Sequence, residues 1–178
     1  MASKPASPPS APTAPEQIPL ARMRRWRAGR RVAMTALAAF LLAGALGAFG
    51  VRTTTATASA QGWTLTVEYA AVTRPGLATP FAFQVTRVEG FDGPVTVAVP
   101  GAYLDHFDEN GLDPDPLGST ATPDQIEWEF EAPDGDTLAV SYDARWEPAS
   151  QESADGAVAV LVDGEPVVSV PFRTRVWP

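Results

Sequence analysis

The residues best equipped for chemistry cluster in one irregular stretch, 100–125, which reads PGAYLDHFDENGLDPDPLGSTATPDQ and holds the sole histidine, His106, between Asp105 and Asp108. A carboxylate beside an imidazole can orient it as a general base. Nucleophilic catalysis also needs a positioned Ser, Thr or Cys, and the sequence offers no nucleophile elbow or triad signature. With one histidine and no cysteine, the nitrogen and sulfur shell that zinc favours is out of reach. Neither catalytic residues nor a cofactor are expected.

The same stretch is rich in oxygen ligands, and Asp108, Asp113 and Asp115 are its candidates for calcium, which takes six to eight oxygens. It does not follow the EF-hand pattern: with Gly111 as the loop glycine, His106 and Leu117 fall where the first acid and the bidentate glutamate belong. A second acidic group, Glu127, Glu129 and Glu131, alternates with Ile126, Trp128 and Phe130. Carboxylates two apart on a strand approach the separations used in glycoside hydrolysis. A row of like charges on an outer sheet face more simply keeps that face soluble and unpaired.

Two kinds of element must carry these residues. The first is the uncharged run VAMTALAAFLLAGALGAFGV at 32–51. Some twenty residues at 1.5 Å rise span a hydrocarbon layer of roughly 30 Å, and a helix satisfies its own backbone hydrogen bonds there. Six arginines (Arg22, Arg24, Arg25, Arg27, Arg30, Arg31) form a basic segment at 22–31 before the run, and only Arg52 follows closely. This bias places the N-terminus in the cytoplasm and the C-terminal part outside, with the lipid bilayer as partner of 32–51. The alternative is a secreted protein, because Ala58-Ser59-Ala60 resembles a small-x-small cleavage site. Residues 1–21, dominated by Pro, Ala and Ser, read as a disordered tail, and 52–61 as a short polar linker.

The second kind of element is the β-strand. From residue 62 the hydrophobic period becomes two: Trp63 to Tyr69, Phe81 to Val85, Val95 to Val99, Ile126 to Phe130, Leu138 to Trp146, Val158 to Val162 and Val168 to Val176. Turn chemistry separates them, including Arg74-Pro75-Gly76, Asp92-Gly93-Pro94 and the hairpin signal Asp163-Gly164. Seven strands with one apolar side each must bury that side against a second sheet. The fold class is therefore all-β, a seven-stranded sandwich over 62–178 preceded by one transmembrane α-helix and the tail. Trp63, Trp128 and Trp146 are placed in the core and Trp177 at the surface, and Pro171 suggests an edge position or bulge.

In strand number, spacing and turns, 62–178 resembles the bacterial immunoglobulin-like and fibronectin type III-like modules of cell-surface proteins. That resemblance implies adhesion, scaffolding or partner binding more than catalysis. The chain totals 13 basic and 21 acidic residues, of which 5 basic and 20 acidic lie beyond Arg52. So acidic a region opposes nucleic acid, which is not expected as a partner, and suits basic ones. The resulting expectation is a membrane-anchored module that contacts an unknown protein outside the cell. The alternative is a calcium-binding ligand module using the three aspartates.

Overall fold

The computed structural model describes residues 20–47 and 50–177. The chain separates into two compact units, Met1–Phe49 and Gly50–Pro178. Residues 1–19 of the expected tail lie outside the described residues.

The first unit holds helix α1, Leu20–Ala45. Its stretch Arg25–Ala45 is long and apolar enough to cross a membrane, with a mean hydropathy of 1.2. Trp26, Leu37, Phe40, Leu41 and Leu42 are all exposed on it. The helix starts earlier and stops earlier than the apolar run predicts. Basic residues 25–31 continue the same helix because Arg and Ala are good helix formers. Gly47, in the left-handed region at φ 75°, ends it.

The second unit is almost entirely β, with strands β1 (Arg52–Ala60), β2 (Trp63–Thr73), β3 (Phe81–Arg87), β4 (Val95–Pro100), β5 (Phe107–Asp113), β6 (Gly118–Ala121), β7 (Gln125–Phe130), β8 (Thr137–Trp146), β9 (Ala154–Val162) and β10 (Glu165–Val176). One four-residue helix, α2 (Gly101–Leu104), follows β4. Each of the seven predicted strands is present, but ten strands replace the predicted seven. The supposed linker 52–61 is β1, and the irregular stretch 100–125 contains α2, β5 and β6.

The strands run β5-β8-β3-β2-β10-β9-β4-β7-β6 in one continuous sheet, with β1 on β2. The sheet curls so that its two wings share a core. Leu65, Val67, Phe83, Val85 and Val140 come from one wing, and Val97, Val99, Phe130, Val158 and Val160 from the other. Phe83 meets Phe130 edge-on at 6.0 Å between ring centroids, and Phe81 lies 5.9 Å from Phe172. The wings are joined where β2, antiparallel to β3 through residues 63–69, pairs in parallel with β10 at Val72 and Thr73.

Two hairpins have matching turns. Asp163 and Gly164 have φ of 52° and 81°, and Gln61 and Gly62 have 51° and 81°. Two successive positive φ values match the right-handed twist of the flanking strands, and glycine takes the second position without a Cβ penalty. The Gln61-Gly62 turn puts β1 in register with β2 from Ala60 back to Thr53, and the register shifts between Thr53 and Arg52. Ala56 and Ala58 thereby pack against the core, while Thr57 and Ser59 pair outward with Thr66 and Thr64 at 3.0 and 2.9 Å.

Candidate functional site

His106 follows α2 and its ring lies nearly parallel to that of Trp146, with an interplanar angle of 6° and centroids 5.1 Å apart. Its Nδ1 is 2.6 Å from Ser150 Oγ. The surrounding bonds close a ring: Glu147 N–H donates to the His106 carbonyl, Ser150 N–H to the Glu147 carbonyl, and Trp146 Nε1–H to the Ser150 carbonyl. The arrangement clips the turn at 147–150 to the end of α2. Ser150 is the partner that sequence reading missed, since 44 positions separate it from His106. Asp105, the C-cap of α2, and Asp108, opposite Arg145 in the β5–β8 ladder, are exposed.

The calcium candidates are not brought together as one loop. Asp108 and Asp113 stand near opposite ends of β5, opposite Arg145 and Ser141 of β8. Those partners are four positions apart on β8, which at about 3.3 Å per residue is roughly 13 Å. Ligands around one calcium ion lie at 2.3–2.6 Å from it, so this strand separation keeps the pair apart. Among the described residues, no group of three or more His, Cys, Asp or Glu is placed to hold a metal.

Glu127, Glu129 and Glu131 keep their alternation and their outer face, with Glu129 and Glu131 exposed where Trp128 and Phe130 are buried. β7 is an internal strand between β4 and the short β6, so this row does not guard an edge. Glu127 accepts a 2.8 Å hydrogen bond from Gln125 Nε2. Trp128 and Trp146 are buried, and Trp63 is 9% exposed, with the Arg87 guanidinium 5.0 Å from its ring centroid. Arg87 also pairs with Asp92 at 2.7 Å. Trp177 is exposed.

A buried polar group lies inside the core. Tyr103 on α2 is ringed by Phe81, Phe107, Trp146 and Phe172, and its hydroxyl meets Thr174 Oγ1 at 3.0 Å. Burial pushes the Tyr103 phenol pKa up; the Thr174 hydrogen bond opposes this, and Tyr69 adds a smaller upward push. Thr73 and Thr79 form a second buried hydroxyl pair at 2.9 Å.

An open depression of about 540 Å³ lies on the outer face of the wing formed by β1, β2, β3, β8 and β5, lined among others by Thr66, Glu68, Ala82, Gln84, Asp113 and Ser141. His106 and Ser150 do not line it.

No protein family matches the sequence, and no curated protein does. Among solved structures, the chain is similar to the Pseudomonas fluorescens alkylpurine DNA glycosylase AlkC bound to DNA containing an abasic site analog. Identity is 17%, the TM-score 0.32, and the match covers 59% of this chain and 28% of that one. This chain therefore spans under a third of the glycosylase's length. The similar protein is DNA-bound, and the exclusion of nucleic acid drawn from net charge is withdrawn. A summed charge does not decide what a local surface can contact. At that TM-score the likeness carries no functional argument for this chain.

Proposed function

We propose that the chain is a single-pass membrane protein with a cytoplasmic N-terminus, whose β unit lies outside the membrane and contacts or scaffolds another protein without chemistry of its own. The observation that carries this reading is strand β1. Ala58-Ser59-Ala60, the tripeptide that would serve signal cleavage, lies in β1 and pairs with Leu65, Thr64 and Trp63. Cleavage after Ala60 would remove the strand whose Ala56 and Ala58 pack on the core. An uncleaved chain keeps both the apolar helix Arg25–Ala45 and a complete sheet. The arginines ahead of the apolar run favour the cytoplasmic side.

For the β unit, the reading is an elaborated immunoglobulin-like module. It is supported by the way β2 leaves β3 to pair in parallel with β10, since strands that switch partners make the corners of packed sheets. A non-catalytic role is supported by His106, whose Nδ1 faces Ser150 within a closed set of turn hydrogen bonds. Intact mass of the protein extracted from cell membranes tests the anchored reading. A species containing α1, resistant to alkaline extraction, is expected; a soluble species beginning near Gln61 would overturn it.

A further inference from the structure

The depression on the β1-β2-β3-β8-β5 face has an ordered floor and charged rims. Strand register aligns Thr55, Glu68, Ala82, Ser141 and Asp113 in one row across it, and Thr57, Thr66, Gln84 and Ala139 in the next. Ala82, Ala139 and Ser141 are short, so the floor above β3 and β8 is low. Glu68 on β2 and Asp113 on β5 stand exposed at its two sides. Three inter-strand spacings of about 4.8 Å separate β2 from β5, placing the two carboxylates roughly 14 Å apart. Asp143, exposed and two positions beyond Ser141 on β8, adds a third acid on this face, and Arg145 is the cation of β8 there.

We propose that this depression is the docking site for an extended, cationic segment of a partner protein, with basic residues four positions apart. In an extended chain, residues i and i+4 point the same way and lie about 13 Å apart, close to the Glu68–Asp113 spacing. The residue midway between them also faces the sheet and must be small to sit over Ala82 and Ser141. Charge complementarity selects a basic segment: Glu68, Asp113 and Asp143 stand exposed on this face against Arg145. Carboxylates at both ends then set the spacing, a demand that a diffuse acidic field does not make. The proposal rests on the reading of the β unit as a protein-binding module and names its site and the chemistry of its partner.

The test uses the full chain in detergent or nanodiscs and two capped peptides of equal charge, Lys-Thr-Ser-Thr-Lys and Thr-Lys-Ser-Lys-Thr, with binding followed by amide chemical shifts. The first peptide is expected to bind about tenfold more tightly than the second and to shift amides of β3 and β8. This preference should vanish in the double variant Glu68→Gln, Asp113→Asn and persist in Glu127→Gln, Glu129→Gln, both checked for an unchanged unfolding midpoint. Equal binding of the two peptides, no binding, or loss of the preference only in the β7 variant would overturn the proposal. Should either double variant unfold, the preference measured on the unaltered chain still decides it. None of these outcomes bears on whether α1 anchors the chain, which the extraction experiment decides separately.

Discussion

Gly156 of β9 lies directly opposite Phe172 of β10, and a Cβ at that glycine would come within 2.5 Å of Phe172 Cε2 and 3.0 Å of Tyr103 Cδ2. The aromatic rings occupy the space that any other residue's side chain would claim. This cross-strand contact lets Tyr103 reach Thr174, and it connects α2 to the wing formed by β9 and β10.

Gly156→Ala is therefore expected to destabilise the β unit by about 1–3 kcal/mol, the usual range for overpacking a filled core. Urea unfolding measures it. Combining the change with Phe172→Leu should give a loss smaller than the sum of the two single losses, because the shorter side chain vacates the contested space.

Tyr103→Phe removes a buried hydroxyl bonded to Thr174, at an expected cost of about 1–2 kcal/mol near neutral pH. It also alters the alkaline response. Burial raises the Tyr103 pKa in the folded state, whereas an unfolded tyrosine ionises near a value of about 10. The folded form then holds a proton that the unfolded form loses, so this contribution is present below about pH 10 and declines as pH rises beyond it. Unfolding midpoints at about pH 9 and pH 11 should fall less in Tyr103→Phe than in the unaltered chain. Equal falls in both proteins would contradict the assignment.

Ser150→Ala breaks the ring of bonds that joins His106 to the turn at 147–150. Loss of one such bond is expected to cost about 1 kcal/mol, and hydrogen exchange at the Ser150 and Glu147 amides should accelerate. Were the turn held by the Trp146 ring alone, exchange there would be unchanged.

Deleting β1 by starting the chain at Gln61 mimics the cleaved form. The truncated unit is expected to lose more than about 2 kcal/mol, since the core beneath Ala56 and Ala58 is uncovered and β2 gains an open edge. Full stability of the truncated unit would remove the main support for an uncleaved chain.

What was legible in the sequence followed from burial. Strands with one face in the core show period-two alternation, and Leu138 to Trp146 is read from it directly because all five inward residues of β8 are buried. β1 was hidden because its residues are Thr, Ala and Ser: its inward side presents only Ala56 and Ala58, too small to mark a period. Its threonines carried a β-propensity that alternation does not count. β5 escaped because a register shift between Glu109 and Gly111 breaks its pattern, and β6 because all four residues are exposed. Proline at 171 suggested an edge or a bulge, but β10 is internal, between β9 and β2, and its register shift falls at Pro166/Val168. Pro171 is accommodated because it pairs with Ala157 of β9 while β10 pairs with β2 only at Arg175 and Val176. The outer-face depression was invisible for another reason, as its two rim acids are 45 positions apart and only register across four strands aligns them.

The anchored reading meets its most direct test in labelling intact cells, which is clean because the chain has no cysteine. Two single-cysteine variants are needed: Thr120→Cys on the exposed strand β6, and Ser10→Cys ahead of the arginines. With a membrane-impermeant maleimide, the account predicts labelling of Thr120→Cys in intact cells and of Ser10→Cys only after permeabilisation, both on a full-length chain. Labelling of Ser10→Cys in intact cells, or protection of Thr120→Cys there, would contradict it.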